Sequence, residues 1–100
     1  MLKHIVMWRF KEGAEGKSRT EHAQWTKEHL EALVGVVPEI RSLEVGVNIK
    51  PDDAAYDAVL ISTFDDLEAM QRYQKHPAHL EVAAYCKRVR DVRSSVDYEI

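Results

Sequence analysis

The stretch LKHIVMWRF, residues 2–10, has the pattern of a β-strand with apolar side chains on both of its faces. Its even positions carry Leu2, His4, Val6, Trp8 and Phe10, and its odd positions carry Lys3, Ile5, Met7 and Arg9. Successive side chains of a strand point to opposite faces of a sheet, so Ile5 and Met7 lie opposite the residues that meet a covering helix. Such a strand belongs in the centre of a sheet whose second face also needs cover.

Three further strands and the helices between them follow from the same kind of pattern. We expect strands at 41–49, 56–64 and 91–100, a helix at about 19–35, and a helix after Asp65 that runs to about Lys75, with a second helical piece after Pro77 that runs to about Arg90. Ser18 with Glu21, and Asp65 with Glu68, have the spacing of a capping box. The buried side of the first helix is predicted to carry Trp25, Leu30, Leu33, Val34 and Val37.

The order β-α-β-β-α-β over residues 1–100 predicts a single α+β domain with a ferredoxin-like, four-stranded antiparallel sheet and helices on one face. The first and third strands are then central, and the second and fourth are edges. Val59 and Ile61 of the third strand repeat the pattern of Ile5 and Met7. Because large exposed apolar patches usually mark an interface, we expect a homodimer joined sheet to sheet.

The composition argues against several classes of partner and location. Fourteen Lys and Arg stand against seventeen Asp and Glu, which gives a net charge of −3 with no basic stripe, so nucleic acid is not an expected partner. The apolar run before Arg9 and Lys11 is too short for a signal peptide or a membrane span. The single cysteine, Cys86, permits no disulfide within the chain, which suits a reducing cytoplasm.

The segment QRYQKHPAHLEVA, residues 71–83, places His76 and His79 three residues apart, with Tyr73 just before them. Zinc sites take three or four ligands, and Cys86 and Glu81 are the only further candidates nearby, so we expect neither a metal nor a cofactor. His76 precedes a proline and is expected to cap the second helical piece through its side chain. His79 falls in the first turn of that piece, where the helix dipole favours a neutral imidazole.

His4 is the only polar residue among the apolar side chains of its strand face, and a buried polar group there needs a partner. Tyr73 and His79 come from the helical layer that covers the same face, so the three side chains are candidates to converge on a pocket between sheet and helices. The alternative is a hydrogen-bonded core histidine. His22 and His29 share one face of the first helix, where we expect exposed residues without a role.

The segments KHIVMWRFKEG, VVPEIRSLEVGVN and YQKHPAH, in this order, resemble the stress-responsive A/B barrel (Dabb) domain family, and the likeness covers nearly the whole chain. The resemblance implies a dimeric α/β barrel, in which two four-stranded sheets face each other with the helices outside. Most members have no established activity, and plant members are linked to stress responses. It therefore implies a dimeric small-ligand-binding or stress-related protein.

One branch of the family, the polyketide cyclases, implies an alternative. There a His on the first strand and a Tyr and a His around the His-Pro-x-His run perform an intramolecular aldol condensation without a cofactor. The matching residues are His4, Tyr73 and His79, with His79 as base, Tyr73 as its orienting partner or oxyanion donor, and His4 as donor to a carbonyl oxygen. Thr26 and Leu30 stand where that branch has aromatic side chains. Small cofactor-free monooxygenases of related barrels are a second alternative.

Overall fold

The computed structural model describes all 100 residues, and its elements follow the predicted order. The elements are β1 (Leu2–Phe10), α1 (Arg19–Glu31), β2 (Ser42–Val47), β3 (Ala58–Phe64), α2 (Leu67–Lys75), α3 (Pro77–Val89) and β4 (Arg90–Glu99), with a single 3-10 turn at Ala14–Gly16 between β1 and α1. The four strands form one antiparallel sheet in the order β2-β3-β1-β4. This confirms that the first and third strands are central.

The core lies between the helices and one face of this sheet. The even-numbered side chains of the two central strands all point into it and are buried: Leu2, His4, Val6, Trp8 and Phe10 of β1, and Ala58, Leu60, Ser62 and Phe64 of β3. The odd-numbered side chains point to the opposite side, which no helix covers and which we call the open face. The alternation of the central strands therefore has the predicted phase.

Local sequence signals set the starts of the helices. The Ser18 hydroxyl accepts a hydrogen bond from the backbone N–H of Glu21, and the Glu21 carboxylate accepts one from the Ser18 N–H, which is the predicted capping box. At the start of α3, Nδ1 of His76 accepts a hydrogen bond from the N–H of Ala78 at 3.1 Å, and Pro77 occupies the first helical position. The predicted capping role of His76 is confirmed.

The first helix is shorter than predicted, and two residues of its predicted buried side are not buried. It ends at Glu31, because the chain turns after Leu33 and Gly35 adopts a φ of 86°, which lies outside the helical region. Val34 is 52% exposed, and Trp25 is only half-buried. Leu30, Leu33 and Val37 are buried as predicted, and His22, Ala23 and Thr26 complete the buried side of α1.

The cap of α2 lies one residue later than predicted. Asp66, and not Asp65, accepts a hydrogen bond from the N–H of Ala69 at 2.8 Å. The Asp65 carboxylate is engaged by Arg41 through two hydrogen bonds of 2.7 Å, so it is not available to the helix. A bidentate guanidinium–carboxylate pair is a strong competitor for such a group.

The fourth strand turns its polar face toward the helices and its apolar face away from them. Arg93, Ser95 and Asp97 pair with Trp8, Val6 and His4 of β1 and therefore share the helix side of the sheet, yet all three are exposed. Val96 and Tyr98 lie on the open face and are 53% and 42% exposed. The edge strand thus adds large apolar side chains to the open face.

The longest helices contain 13 residues, and none of the helices has the length and hydropathy that a membrane crossing requires.

Candidate functional site

The structure brings His4, Tyr73 and His79 together under the helices. Tyr73 of α2 is completely buried, and its ring centroid lies 4.4 Å from that of His79 and 6.4 Å from that of His4. Phe64 of β3 packs against the same tyrosine, with ring centroids 4.9 Å apart. We call His4, Tyr73 and His79 the Tyr73 cluster.

His4 has a partner that the sequence pattern did not suggest. Its Nδ1 atom is hydrogen-bonded to the carboxylate of Asp97, its cross-strand neighbour on β4. The His4 side chain is 3% exposed and that of Asp97 is 35% exposed, so the pair connects the core to the edge of the sheet. A carboxylate can only accept, so Nδ1 carries the proton, and the neutral ring has only an acceptor at Nε2. The predicted donor role of His4 therefore requires its imidazolium form.

Asp97 was missed because its role depends on the register of two strands that lie more than ninety positions apart in the sequence. The signal was present in a weak form. Asp97 lies on the polar face of β4, and His4 is the polar residue on the apolar face of β1. Once the two strands are known to be neighbours, these two residues are natural hydrogen-bond partners.

His79 has one ring nitrogen without a hydrogen-bond partner in the chain. Its Nδ1 atom donates to the backbone carbonyl of Gln74 at 3.0 Å, and since a carbonyl oxygen cannot donate, this nitrogen carries the ring proton. The lone pair of Nε2 has no partner within the chain. Burial lowers the pKa of His79 below its ordinary value of 6.5, so the imidazole is neutral near neutral pH.

The hydroxyl of Tyr73 is the one buried side-chain polar atom of the chain without a hydrogen-bond partner. Burial also raises the pKa of Tyr73 well above its ordinary range, so the hydroxyl keeps its proton and can act only as a neutral donor or acceptor. Leaving a buried hydroxyl unpaired costs roughly 1–3 kcal/mol, which sets this atom apart from the rest of a well-satisfied core.

The cluster is closely packed. Four hollows lie on the surface of the protein, and none of them is lined by His4, Tyr73 or His79. The rings of His4, His79 and Phe64 therefore pack around that of Tyr73, and not around an open space such as the predicted pocket. No three His, Cys, Asp or Glu side chains converge as the ligands of a metal ion would, and Cys86 is a buried thiol beside the Thr26 hydroxyl, at 3.6 Å.

Comparison with known protein families identifies the family of this chain. The family description that matches this chain, over residues 2–100, is the Stress responsive A/B Barrel Domain, abbreviated Dabb. The chain belongs to the Dabb family.

Relatives of this Dabb domain carry little functional description. An uncharacterized protein of Streptomyces coelicolor is 33% identical over 79 residues, which is 79% of each chain. A dimeric protein of unknown function with a ferredoxin-like fold, from Bacteroides fragilis, is 30% identical with a TM-score of 0.85, covering 99% of this chain and 95% of that one. A hydroxynitrile lyase from Passiflora edulis shares the fold at 21% identity and a TM-score of 0.79, covering 99% and 92%.

A second buried histidine of the Dabb domain lies outside the cluster, and here the sequence expectation was wrong. His22 is completely buried, whereas we expected it to be exposed. Its Nε2 donates to the carbonyl of Ala14 at 2.8 Å, and its Nδ1 accepts from the Tyr85 hydroxyl at 2.5 Å. The spacing of four among His22, Thr26 and Leu30 was the signal for this buried stripe. His29 is exposed, as predicted, and stacks on Trp25 with ring centroids 3.7 Å apart.

The open face is the other surface of the Dabb domain that can hold a partner. Its centre is apolar, with Ile5, Val59 and Ile61 half-buried and Met7 38% exposed. A hollow of about 410 Å³ lies at one end, lined mostly by apolar and small side chains: Met7, Gly46, Val47, Asn48, Ala54, Ala55, Tyr56, Ala58 and Val59. Ile5, Met7, Val59 and Ile61, which were predicted to form an interface, therefore lie together on the face of the sheet that no helix covers.

Proposed function

We propose that the protein is a homodimer that binds a small carbonyl-containing ligand at the Tyr73 cluster. The observation that carries this proposal is the buried Tyr73 hydroxyl without a partner. A ligand oxygen that accepts from this hydroxyl would relieve the cost of the unpaired donor. The rings of Phe64 and Tyr73 supply apolar contact for the rest of a small molecule.

The way in passes through the first turn of α3. His79 is only half-buried, whereas His4 and Tyr73 are almost inaccessible. Because the cluster is closely packed, binding requires the segment around His79 to move away from Tyr73. Pro77 and the His76 cap fix the start of this turn.

Titration with small ketones and esters, followed by backbone amide NMR, tests the proposal. We expect shifts at Tyr73, His79 and their neighbours, and Tyr73→Phe should weaken binding by roughly tenfold, because it removes one hydrogen bond. Tyr98→Phe, which removes the hydroxyl of an exposed tyrosine on the open face, is the matched control. Equal affinities of wild type and Tyr73→Phe would contradict a ligand at this hydroxyl.

The proposed homodimer is supported by the apolar side chains of the open face and by the dimeric relative from Bacteroides fragilis. Val59→Lys places a charge in the centre of this face, so light scattering should detect monomers or unfolded chains where the wild type is dimeric. Leu80→Lys is the control, because Leu80 is 52% exposed on α3, away from the sheet. A wild-type protein that is monomeric at micromolar concentration would refute the dimer.

Catalysis through His4, Tyr73 and His79 is the second candidate, and the free Nε2 of a neutral His79 favours it. This nitrogen would remove the proton from the carbon next to a ligand carbonyl, which leaves an enolate whose oxygen accepts from Tyr73. The enolate carbon would then attack a second carbonyl carbon of the same molecule, and the proton would return from His79 to the new alkoxide. His4, held by Asp97, would contact the second carbonyl oxygen as an imidazolium.

Proton removal can be tested without knowledge of the natural substrate. In heavy water, a catalysed exchange of the hydrogens next to a ketone carbonyl appears in the proton NMR spectrum as a loss of signal. We expect the wild type to catalyse this hydrogen exchange and His79→Ala to show no exchange above background. His29→Ala, a control at an exposed histidine, should exchange the hydrogens at the wild-type rate. If the wild type binds ketones and exchanges the hydrogens of none of them, the protein binds these ligands and does not catalyse proton removal.

We further propose a reducing compartment such as the cytoplasm, since the only cysteine of the chain is a free buried thiol. Recovery of the protein from an oxidising compartment of its source cell would contradict it.

A further inference from the structure

Two arginines at the start of β4 differ from the other arginines of the chain. Arg90 and Arg93 form no ion pair, although Arg90 is half-buried. Every other arginine has an aspartate or glutamate partner: Arg9, Arg19, Arg41, Arg72 and Arg88. The planar guanidinium group matches the geometry of a carboxylate, so an arginine without an acidic partner in its own chain is able to bind an external anion.

Arg90 and Arg93 lie on the same side of the sheet because β4 contains a bulge. Residues three positions apart in a regular strand point to opposite faces. Here Arg93 pairs with Trp8 and Arg90 pairs with Phe10, so Asp91 is the extra residue that brings both arginines to one face. Trp8 and Phe10 are buried on the helix side of the sheet. The two arginines therefore share that side, at positions two residues apart along β1, which is roughly 7 Å.

The helix side of the sheet also holds the Tyr73 cluster. Asp97, four residues after Arg93 on the same face of β4, is the residue that binds His4. Burial raises the pKa of Tyr73 and lowers that of His79, and the positive charge of Arg93 acts on both groups in the direction of a lower pKa. Arg93 is exposed, so it connects the buried cluster to the solvent at the edge of the sheet.

The two arginines also act on one side chain of α3. Burial raises the pKa of the Cys86 thiol, and the positive charges of Arg90 and Arg93 both oppose this rise. Like charges at neighbouring positions of a sheet repel each other and destabilise the fold. An anion between the two guanidinium groups would remove this repulsion.

The end of α3 offers another explanation for one of the two arginines. Arg90 is the C-cap residue of α3, and the C-terminus of a helix attracts a positive charge. Arg93 lies three residues further along the chain, beyond the last turn of the helix, where this attraction has fallen off. The helix therefore accounts for Arg90 alone, and not for the pair.

We infer that Arg90 and Arg93 bind the carboxylate of a ligand whose carbonyl oxygen accepts from Tyr73, so that the protein selects keto acids over neutral ketones and esters. This inference rests on the ligand site proposed above. A carboxylate would accept charge-assisted hydrogen bonds from the guanidinium groups, which are stronger than those between neutral groups. The charged end of the ligand would stay at the exposed edge of the sheet, and its carbonyl end would lie under the helices.

Levulinate and its methyl ester test this selection, because they share the same ketone and differ in the negative charge. Backbone amide NMR measures the dissociation constant of each ligand for the wild type. We expect levulinate to bind roughly tenfold more tightly than the ester at low salt, since only levulinate can form charge-assisted hydrogen bonds. The preference should decrease as salt is added, because exposed charges are screened.

Substitution of the arginines assigns the preference to these residues. Arg93→Gln keeps a polar side chain without the charge, so it should weaken the binding of levulinate and leave that of the ester unchanged. Arg90→Gln should act in the same direction. Lys50→Gln is the matched control, because it removes a positive charge from an exposed lysine after β2, at the opposite edge of the sheet. It should keep the wild-type preference for levulinate.

Three results would overturn the inference. Equal affinities of the wild type for levulinate and its ester would contradict the selection of acids, and the proposed ligand site would stand if Tyr73→Phe still weakened both. A preference for levulinate that persists when Arg90 and Arg93 are both replaced by glutamine would contradict the assignment to these residues. If neither ligand binds the wild type, the proposed function itself fails.

Thermal unfolding without ligand gives an independent test. Because Arg90 and Arg93 repel each other and have no acidic partner, Arg93→Gln should unfold at the wild-type temperature or slightly above it. Lys50→Gln should unfold at the wild-type temperature. A lower unfolding temperature of Arg93→Gln alone would mean that Arg93 has a stabilising partner within the protein, and would contradict its role in binding an external anion.

Discussion

The carboxylate of Asp97 accepts the Nδ1 hydrogen of His4 across the boundary between β4 and β1. This contact fixes the ring of a buried histidine from an exposed strand. It also decides what His4 can do, because the nitrogen that remains free is Nε2. The catalytic roles of His4, Tyr73 and His79 remain proposals, but the hydrogen bonds that orient the two histidines make definite predictions.

The ring protons of the histidines should be fixed as the hydrogen bonds require. In nitrogen-detected NMR at pH 8, we expect His4 and His79 to carry the hydrogen on Nδ1, and His22 to carry it on Nε2. In Asp97→Ala, His4 should show a mixture of both forms, while His22 should stay unchanged as the internal control. A wild-type His4 with its hydrogen on Nε2 would refute the hydrogen bond to Asp97.

Tyr73→Phe should leave the free energy of unfolding unchanged or raise it by up to about 1 kcal/mol, as measured by denaturant titration. The reason is that the Tyr73 hydroxyl is buried without a partner, so its removal deletes a desolvated group and keeps the ring in place. A loss of more than about 1 kcal/mol would mean that the hydroxyl does have a partner in solution, such as bound water.

Tyr85→Phe should have the opposite effect. Its hydroxyl donates to Nδ1 of the fully buried His22, so the variant leaves an unsatisfied acceptor in the core and should lose roughly 1–3 kcal/mol. Chemical denaturation measures the loss, and the comparison with Tyr73→Phe keeps the substitution the same while the partner differs. Equal stabilities of the two variants would contradict the bond to His22.

The lowered pKa of His79 predicts a loss of stability in acid. Burial disfavours the imidazolium in the folded protein, so the unfolded chain, where the pKa is near 6.5, binds the proton more readily. The contribution of His79 to the free energy of unfolding is therefore complete above pH 6.5 and decreases as the pH falls below that value. It stops decreasing once the pH is below the pKa of His79 in the folded protein. Thermal unfolding at pH 7.5 and 5.5 should show a smaller drop for His79→Gln than for wild type. His29→Gln, at an exposed site, should behave like wild type.

The sequence by itself determined the order of the elements, the ferredoxin-like sheet with β1 and β3 in its centre, and the caps at Ser18 and His76. These features depend on local periodicity and on neighbouring residues, which short-range chemistry controls. Family resemblance, confirmed by the match over residues 2–100, added the expectation that His4, Tyr73 and His79 belong together.

Only the tertiary structure decided how polar side chains are satisfied. Asp97 reaches His4 because of the register between β4 and β1, and Tyr85 reaches His22 because α3 packs beside α1, so neither pair has a signal in sequence spacing. The same holds for the packing of the Tyr73 cluster, where Phe64 of β3 contacts Tyr73 of α2 across the core. Local patterns fix which face of an element is buried, whereas the partner of a buried group depends on elements that only folding brings together.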